Sequence, residues 1–586
     1  MNAESSPQVK DVCLTEVQTY EMSINSRWSL KITADVEKSY QLIMKKDLEG
    51  QNDVAQAAST QGDFNILEAT ARAQQKIEHQ LTKWQAVKTY PKATAWILFN
   101  VWVMVLLGYE NQAGGIVLSI PQFRKDFGYL YEGSYVLESS WQSIITGVPI
   151  AIIGVSSFGV SYFSDRYGRR AILVSMLILS IPSIALEYVA TTIQVFVAGK
   201  ALNAISLGCF NTLCLGYVSE VAPLALRGWA AAACALSLCI GPFVCYLINN
   251  TTVSFDSRMA YRAVFIPQWI FSISALCVAP FLPESPYYHL NKEEDEKAMG
   301  CLKRLYNPTQ AQQQFAIMKV THEELKQITK GTSFRDCFNK KNIKRTRLVL
   351  FTMWMSPMCG LYFVAFYATY YYQLAGMTTH GSYQLSCGGQ ALSVSGVLAS
   401  FFIVDRFGRR KLMLFGMISL TTINFILAGA GTDTDNPTSM KVATGFMAMY
   451  NFFYNIGMGP MVNIIPSEIS SVGLRSKTFA LGMIVNYMFS CMWTLVLSYM
   501  FNPDQANMGS KISFIFGGLS LASVFVFYFF QPETAGRSFE EIDEMFAKNI
   551  PPRQWSSYKT EKQIESEKSF FDLKAQTSHT EYVEDE

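Results

Sequence analysis

Three ionisable side chains, Glu110, Glu187 and Lys200, stand inside runs of sequence that are otherwise free of charge. A charge at the centre of a bilayer costs at least ~2.5 kcal/mol on insertion scales, so each needs a partner, a watery cavity or neutralisation. Glu110 lies near the middle of the first run, in Leu107-Gly-Tyr-Glu-Asn-Gln112, and Lys200 shortly inside the fourth. One acid and one base in the same half of a chain make a natural pair. Desolvation favours the neutral form of such a carboxylate and the cation favours the charged form, so a small rearrangement can switch its protonation. A permanent structural ion pair is the alternative. Glu187, near the outer end of the third run, is expected to reach the interface.

A second set of charged residues recurs in order along the chain. Asp165-Arg-Tyr-Gly-Arg-Arg170 returns as Asp405-Arg-Phe-Gly-Arg-Arg410. Glu220-Val-Ala-Pro-Leu-Ala-Leu-Arg227 returns as Glu468-Ile-Ser-Ser-Val-Gly-Leu-Arg475, and Pro283-Glu-Ser as Pro532-Glu-Thr. At helix ends, carboxylates and guanidiniums pair bidentately and cap helix dipoles. Asp165, Arg169, Glu220, Arg227 and Glu284 are expected to latch the first half. Asp405, Arg409, Glu468, Arg475 and Glu533 are expected to latch the second, holding one conformation and parting in another. As ordinary surface bridges these pairs would be worth only ~0–1 kcal/mol each; it is their duplication that favours gating.

The elements that position these groups follow from where charge is missing. Half of the 586 residues are hydrophobic and only 16% are Asp, Glu, Lys or Arg, against roughly 25% in an average soluble domain, which argues against an ordinary cytosolic enzyme. Charge is absent from 139–164, 171–186, 228–255, 263–283, 348–404, 412–432, 442–467, 478–503 and 512–532. A bilayer core about 30 Å thick takes roughly 20 apolar residues of helix. The run 348–404 is long enough for two crossings, with a turn near Thr378–Ser382, and 96–119 and 195–217 are each interrupted by one charge. The expectation is an all-α membrane protein of twelve transmembrane helices in two six-helix bundles, 95–286 and 347–534. Tails of 1–94 and 535–586 flank them, and amphipathic helices of 287–346 join them. Three motifs in the same order in each half place the bundles in parallel relation, the architecture of alternating-access transporters with a substrate site between the halves.

Orientation follows from Lys and Arg in the short loops. Arg166, Arg169, Arg170, Arg406, Arg409, Arg410 and Lys411 outnumber the basic residues of the opposite side, which puts the motif face and both tails in the cytosol. Residues 1–90 are polar and lack the apolar stretch of a signal peptide. Sequons begin at Asn249 and Asn250, in the predicted outer loop after the fifth span, where glycosylation is expected to be possible. The twelve cysteines and five histidines show no metal spacing and no catalytic triad, so no metal or cofactor is expected. The net charge of +2 gives no sign of nucleic-acid binding. Polar and aromatic groups at a plausible depth for a polyhydroxylated substrate are Asn100, Gln142, Asn203, Tyr362, Tyr367, Gln390, Asn463 and Asn486.

The duplicated Asp-Arg-x-Gly-Arg-Arg, Pro283-Glu-Ser-Pro286, Gln268-Trp269 and Pro532-Glu-Thr-Ala-Gly-Arg537 resemble the sugar-porter branch of the major facilitator superfamily over roughly residues 90–550. Within it, Tyr90-Pro-Lys92, Glu132-Gly-Ser-Tyr135, Trp141-Gln142 and Ser219–Arg227 resemble fungal α-glucoside (maltose-type) proton symporters. The resemblance implies proton-coupled uptake of a sugar across the plasma membrane, with the sugar, the proton and the lipid bilayer as partners and the oligomeric state left open. It implies that Gly108-Tyr-Glu110 and Gly199-Lys200 hold the positions of the family's first-span acid and fourth-span base, with Glu for the usual Asp and Lys for the usual Arg. Lys lacks the fork of Arg. The further acids of the α-glucoside symporters are replaced by Leu107 and Ile153. Where hexose porters bring a Gln, a Gln pair and a Trp, this chain has Ala235, Ser356-Pro357 and Asn463; Asn486-Tyr487 matches the family's Asn–aromatic pair. Import of an α-glucoside with a proton is the leading expectation. A facilitator or exporter of another sugar, polyol or polyhydroxylated metabolite is the alternative, and a non-transporting nutrient sensor the more distant one.

Overall fold

The computed structural model describes Gln74, Glu78 and residues 81–561 except 434, 435 and 556, and of Asp405 the backbone only. Its first six long helices are α1 (Pro91–Ile116), α2 (Ser139–Tyr167), α3 (Arg169–Val189), α4 (Ile193–Val221), α5 (Leu224–Thr252) and α6 (Ile266–Val278). The amphipathic stretch forms α7 (Asp295–Leu305) and α8 (Pro308–Thr329). The second set is α9 (Ile343–Met358), α10 (Leu361–Leu374), α11 (Thr379–Phe407), α12 (Arg409–Ala430), α13 (Pro437–Ile456), α14 (Met458–Ile469), α15 (Arg475–Phe501) and α16 (Ile512–Phe530), followed by α17 (Phe539–Ala547).

Among the described residues, eleven helical stretches are long and apolar enough to cross a bilayer, with α9 and α10 forming one of them. The twelfth crossing predicted for 442–467 is present as two pieces, α13 and α14. They part at Gly457, whose φ of −100° and ψ of −84° lie outside the helical region. There is no side chain at Gly457 to hold its neighbour off, and its backbone packs on Gly416 of α12 so closely that a Cβ would fall 2.4 Å from the Gly416 Cα. The turn expected between the seventh and eighth spans is capped by Thr378, whose hydroxyl accepts from the Gly381 amide at 3.2 Å.

The glycine of each Asp-Arg-x-Gly-Arg-Arg repeat has a specific cause. Gly168 and Gly408 sit between consecutive spans with φ of +97° and +85°, a region L side chains rarely enter. A Cβ at either would also lie 2.5 Å from a carboxylate oxygen, of Glu284 or Glu533 respectively.

The two sets of six pack side by side, with α2 along α15 and α5 along α11. On the face opposite the motifs the contact is sealed. A small hairpin of β1 (Tyr129–Tyr131) and β2 (Ser134–Val136) brings the Tyr129 hydroxyl to the Asp504 carboxylate. Arg124 donates to Gln373 Oε1 at 2.7 Å, and its guanidinium lies 4.6 Å from the centre of the Tyr370 ring. Gln373 in turn donates to the Ser119 carbonyl at 2.8 Å, and Ser143 donates to the Leu495 carbonyl at 2.8 Å.

Candidate functional site

The interior charges meet in one cluster. Lys200 Nζ lies 2.9 Å from Glu187 Oε2 and 3.3 Å from Glu110 Oε2, with both carboxylates fully shielded and the lysine side chain 6% exposed. The Glu110 contact is aligned as a hydrogen bond, whereas the closer Glu187 contact is an ion pair whose angle falls short of one. Asn203 stands one turn along α4 from Lys200 and so shares its face. Its amide donates to Glu110 Oε1 at 2.7 Å and to Glu187 Oε1 at 3.4 Å, while its own carbonyl accepts from Ser180 at 3.2 Å. The lysine also lies 5.4 Å from the centre of the Phe265 ring, a cation–π contact that offsets part of its desolvation. With both acids ionised the group holds two negative charges against one positive.

This overturns the expectation that Glu187 reaches the interface: the residue is 1% exposed. The signal lay in the chain. Gly199 precedes Lys200, and a Cβ there would meet Glu187 Cγ at 2.9 Å, so the glycine lets α3 and α4 close until the acid of one reaches the base of the other. Asn203, expected among substrate ligands, instead tethers both carboxylates. Beside the cluster is a cavity of about 30 Å³, bordered by Glu110, Asn111, Thr146, Lys200, Asn203 and Phe366. That is room for water and far too little for a sugar ring. Sequence reasoning did not single out Asn111, Thr146 or Phe366.

The remaining candidates are spread among several elements. Gln142 is buried in the outer seal, donating to the Leu137 carbonyl at 2.7 Å and to Asn502 at 2.8 Å. Tyr367 is buried with its hydroxyl 2.7 Å from that of Ser498. Asn486 donates to the Met353 carbonyl at 2.9 Å, and Asn100 to the Trp96 carbonyl at 2.8 Å. Tyr362 is half-buried on α10, Gln390 is buried on α11, and Asn463 is exposed on α14. Three polar links were not anticipated from sequence. Ser356 meets Tyr454 at 3.0 Å, Asn455 donates to Ser393 at 2.9 Å, and Asn211 of α4 donates across to Tyr487 of α15 at 3.2 Å.

At the motif face the two halves repeat the same geometry. Glu284 accepts from the Arg169 amide at 2.7 Å and from the Arg170 amide at 3.2 Å, capping α3. Glu533 accepts from the Arg409 amide at 2.8 Å and from the Arg410 amide at 3.2 Å, capping α12. Arg169 pairs with Asp165 at 2.9 Å and Glu220 at 3.2 Å; Arg409 pairs with Glu468 at 3.2 Å. Ser285 and Thr534 donate to Glu220 and Glu468.

The last member of each expected latch departs from this pattern. Among the described residues Arg227, which is exposed, makes no ion pair. Arg475 makes none either, and its guanidinium stacks 3.9 Å from the centre of the Phe539 ring. The side chain of Asp405 lies outside the described residues. The sequon at Asn249 is also corrected. It falls inside α5 rather than in a loop, and the side chain is fully buried and donates to the Cys245 carbonyl at 2.8 Å, which leaves no path for a glycan. Asn250 is half-buried in the same last turn.

The profile of the sugar (and other) transporter family matches residues 96–546. A general alpha-glucoside permease of Saccharomyces cerevisiae is 29% identical over 493 residues, covering 82% of this chain and 79% of that one. A maltose permease of the same yeast is 30% identical over 491 residues, covering 81% and 79%. Among solved structures, the major facilitator proton:xylose symporter XylE of E. coli superposes with a TM-score of 0.62 at 21% identity, covering 78% of this chain and 99% of that one. That likeness shows the fold, a major facilitator fold of twelve crossings.

Proposed function

The chain belongs to the sugar (and other) transporter family, and we propose that it imports an α-glucoside such as maltose together with a proton. It is a multi-pass membrane transporter and not an enzyme. The α-glucoside reading is supported by its similarity to yeast permeases of that name over four-fifths of the chain.

One observation carries the proton reading: a single ammonium is shared by two shielded carboxylates. An uncompensated charge in the bilayer interior is costly, and one proton taken up by either acid leaves the cluster neutral. Glu110, which borders the water-sized cavity, is the acid placed to exchange that proton. Glu187 holds Lys200 in place when Glu110 is protonated, so the lysine never stands unpaired. Proton loss restores the second ion pair and draws α1 toward α4. Asn486, Tyr362, Gln390 and Asn463 are proposed as sugar contacts, while Gln142 acts through the outer seal and Tyr367 through its bond to Ser498 of α15. The capped latches at the motif face hold each half rigid while that seal is closed. By the excess of basic residues on it, that face is proposed to be cytosolic, and the plasma membrane is proposed as the one an uptake carrier serves.

A second reading is favoured by Ala235, Ser356 and Pro357, which offer no amide where hexose porters carry one: facilitated movement of another polyol. Expression in cells lacking sugar carriers separates the two. Added maltose should make the medium alkaline as uptake begins, and Glu110→Gln should abolish this while leaving downhill exchange. Sugar uptake with no alkalinisation for maltose, sucrose, trehalose or glucose would reject symport.

A further inference from the structure

A second recess is remote from the interior cluster. It has a volume of about 750 Å³ and lies at the motif-face end of α9, α15 and α16, roofed by α17 and the Ile550–Trp555 segment. That is the size of a pocket for a substantial ligand, roughly 300–1,000 Å³. Its wall is apolar, with Phe351, Trp354, Val526 and Phe530 prominent, and among the described residues no carboxylate borders it. A sugar would find almost no hydroxyl partners there. The roof is packed on its own terms: Ile542, Met545 and Trp555 form a small separate core, and the Trp555 indole donates to the Ile550 carbonyl at 3.0 Å.

Two features identify what fits. The polar groups at the recess are Lys344, Arg347 and Asn549. Lys344 and Arg347 are exposed on the first turns of α9, where the positive end of the helix dipole adds to their potential. Beside them the end of α16 presents Tyr528, Phe529 and Phe530 outward, Phe530 at 63% exposure, as an aromatic belt does at a bilayer boundary. Arg553 lies 4.6 Å from the centres of both the Tyr528 and Phe529 rings. An apolar slot beside exposed aromatic rings, with two cations on its border, matches an acyl chain below an anionic headgroup.

We propose that this recess binds an anionic phospholipid, with an acyl chain against Phe351, Trp354 and Val526 and the phosphate between Lys344 and Arg347. The bound lipid braces α17 against α9 and α16. The full chain, purified and reconstituted in vesicles of phosphatidylcholine alone or mixed with phosphatidylserine, tests this by thermal unfolding and by native mass spectrometry of retained lipid. Phosphatidylserine should raise Tm and be retained in preference to phosphatidylcholine. Lys344 also donates to Asn549 of the roof at 2.6 Å, so Arg347→Gln alone is made beside Lys344→Gln with Arg347→Gln. The preference should fall in both, by about tenfold or more in the double variant, the scale set by two basic groups beside an anionic surface. Val526→Trp, which fills the slot, should lose retention of both lipids. Equal retention of both lipids by the unaltered chain, or a preference that survives the double change, would overturn the proposal. So would an equal Tm rise from soluble glycerophosphoserine, which has the headgroup and no acyl chain. No response to any lipid would mean that the chain's own residues fill the recess, and would overturn it too.

Discussion

Lys200 lies closer to Glu187, at 2.9 Å, than to Glu110, at 3.3 Å, although Glu187 comes from the neighbouring helix α3 and Glu110 from α1. The two acids are therefore not equivalent: the nearer is walled in beside Gly199, and the farther borders a water-sized cavity.

Exchange of Glu110 for Gln should abolish sugar-driven alkalinisation and accumulation against a gradient, with counterflow retained. Exchange of Glu187 for Gln should keep counterflow and reduce coupled uptake by less. Parallel measurement of proton and sugar fluxes in vesicles checks this, and equal loss in both variants would contradict the division of roles.

Removing the shared base should cost more than removing either acid. Lys200→Met leaves two buried carboxylates facing each other, and breaking a buried pair typically costs about 3–5 kcal/mol. Lowered Tm in detergent, partly recovered in the double variant with Glu187→Gln, is the expected result.

Gly168→Ala and Gly408→Ala should each destabilise the motif face. Strained positive φ costs about 1–3 kcal/mol, and the new methyl would press on Glu284 or Glu533. Thermal unfolding of each, and of each combined with loss of the clashing carboxylate, separates backbone strain from the clash.

Releasing the outer seal should shift the transporter toward the opposite opening. Tyr129→Phe removes the bond to Asp504, and labelling of a cysteine placed near Gln142 should then quicken. The Asp504 carboxylate, by accepting that hydrogen bond, pushes the Tyr129 phenol up to about 12. Its contribution is thus complete below the ordinary phenol value of about 10 and is lost as pH rises through the folded value. Transport that varies with pH between about 5 and 8 should consequently vary in the same way in Tyr129→Phe.

The chain made its crossings legible because burial in lipid forbids charge, a rule that acts residue by residue. Even the broken span carried its mark, in Ile456-Gly-Met-Gly-Pro460. The Glu110–Lys200 pairing could be read because both residues violate that rule. The position of Glu187 could not, since counting residues along α3 gives depth but not the direction a side chain takes around the helix. The repeat was equally instructive where it failed. Arg227 and Arg475 match in sequence, yet one is exposed and the other rests on Phe539, because the neighbours that decide pairing come from segments outside the repeat. Asn249 misled for a related reason: α5 runs on through Thr252 and turns the Asn249 side chain into the packed interior.

Glu220 is carried by α4, an unbroken helix of 29 residues, whereas its counterpart Glu468 is carried by α14, a piece of only 12. The two halves therefore hold the same lock on arms of different stiffness. Thermal agitation of the short arm about Gly457 strains the Arg409–Glu468 bond directly, while the long arm must tilt as a whole to disturb Arg169–Glu220. The ancestral symmetry of the duplicated halves is thus broken mechanically even where it is kept chemically, and the second half is the one expected to yield first.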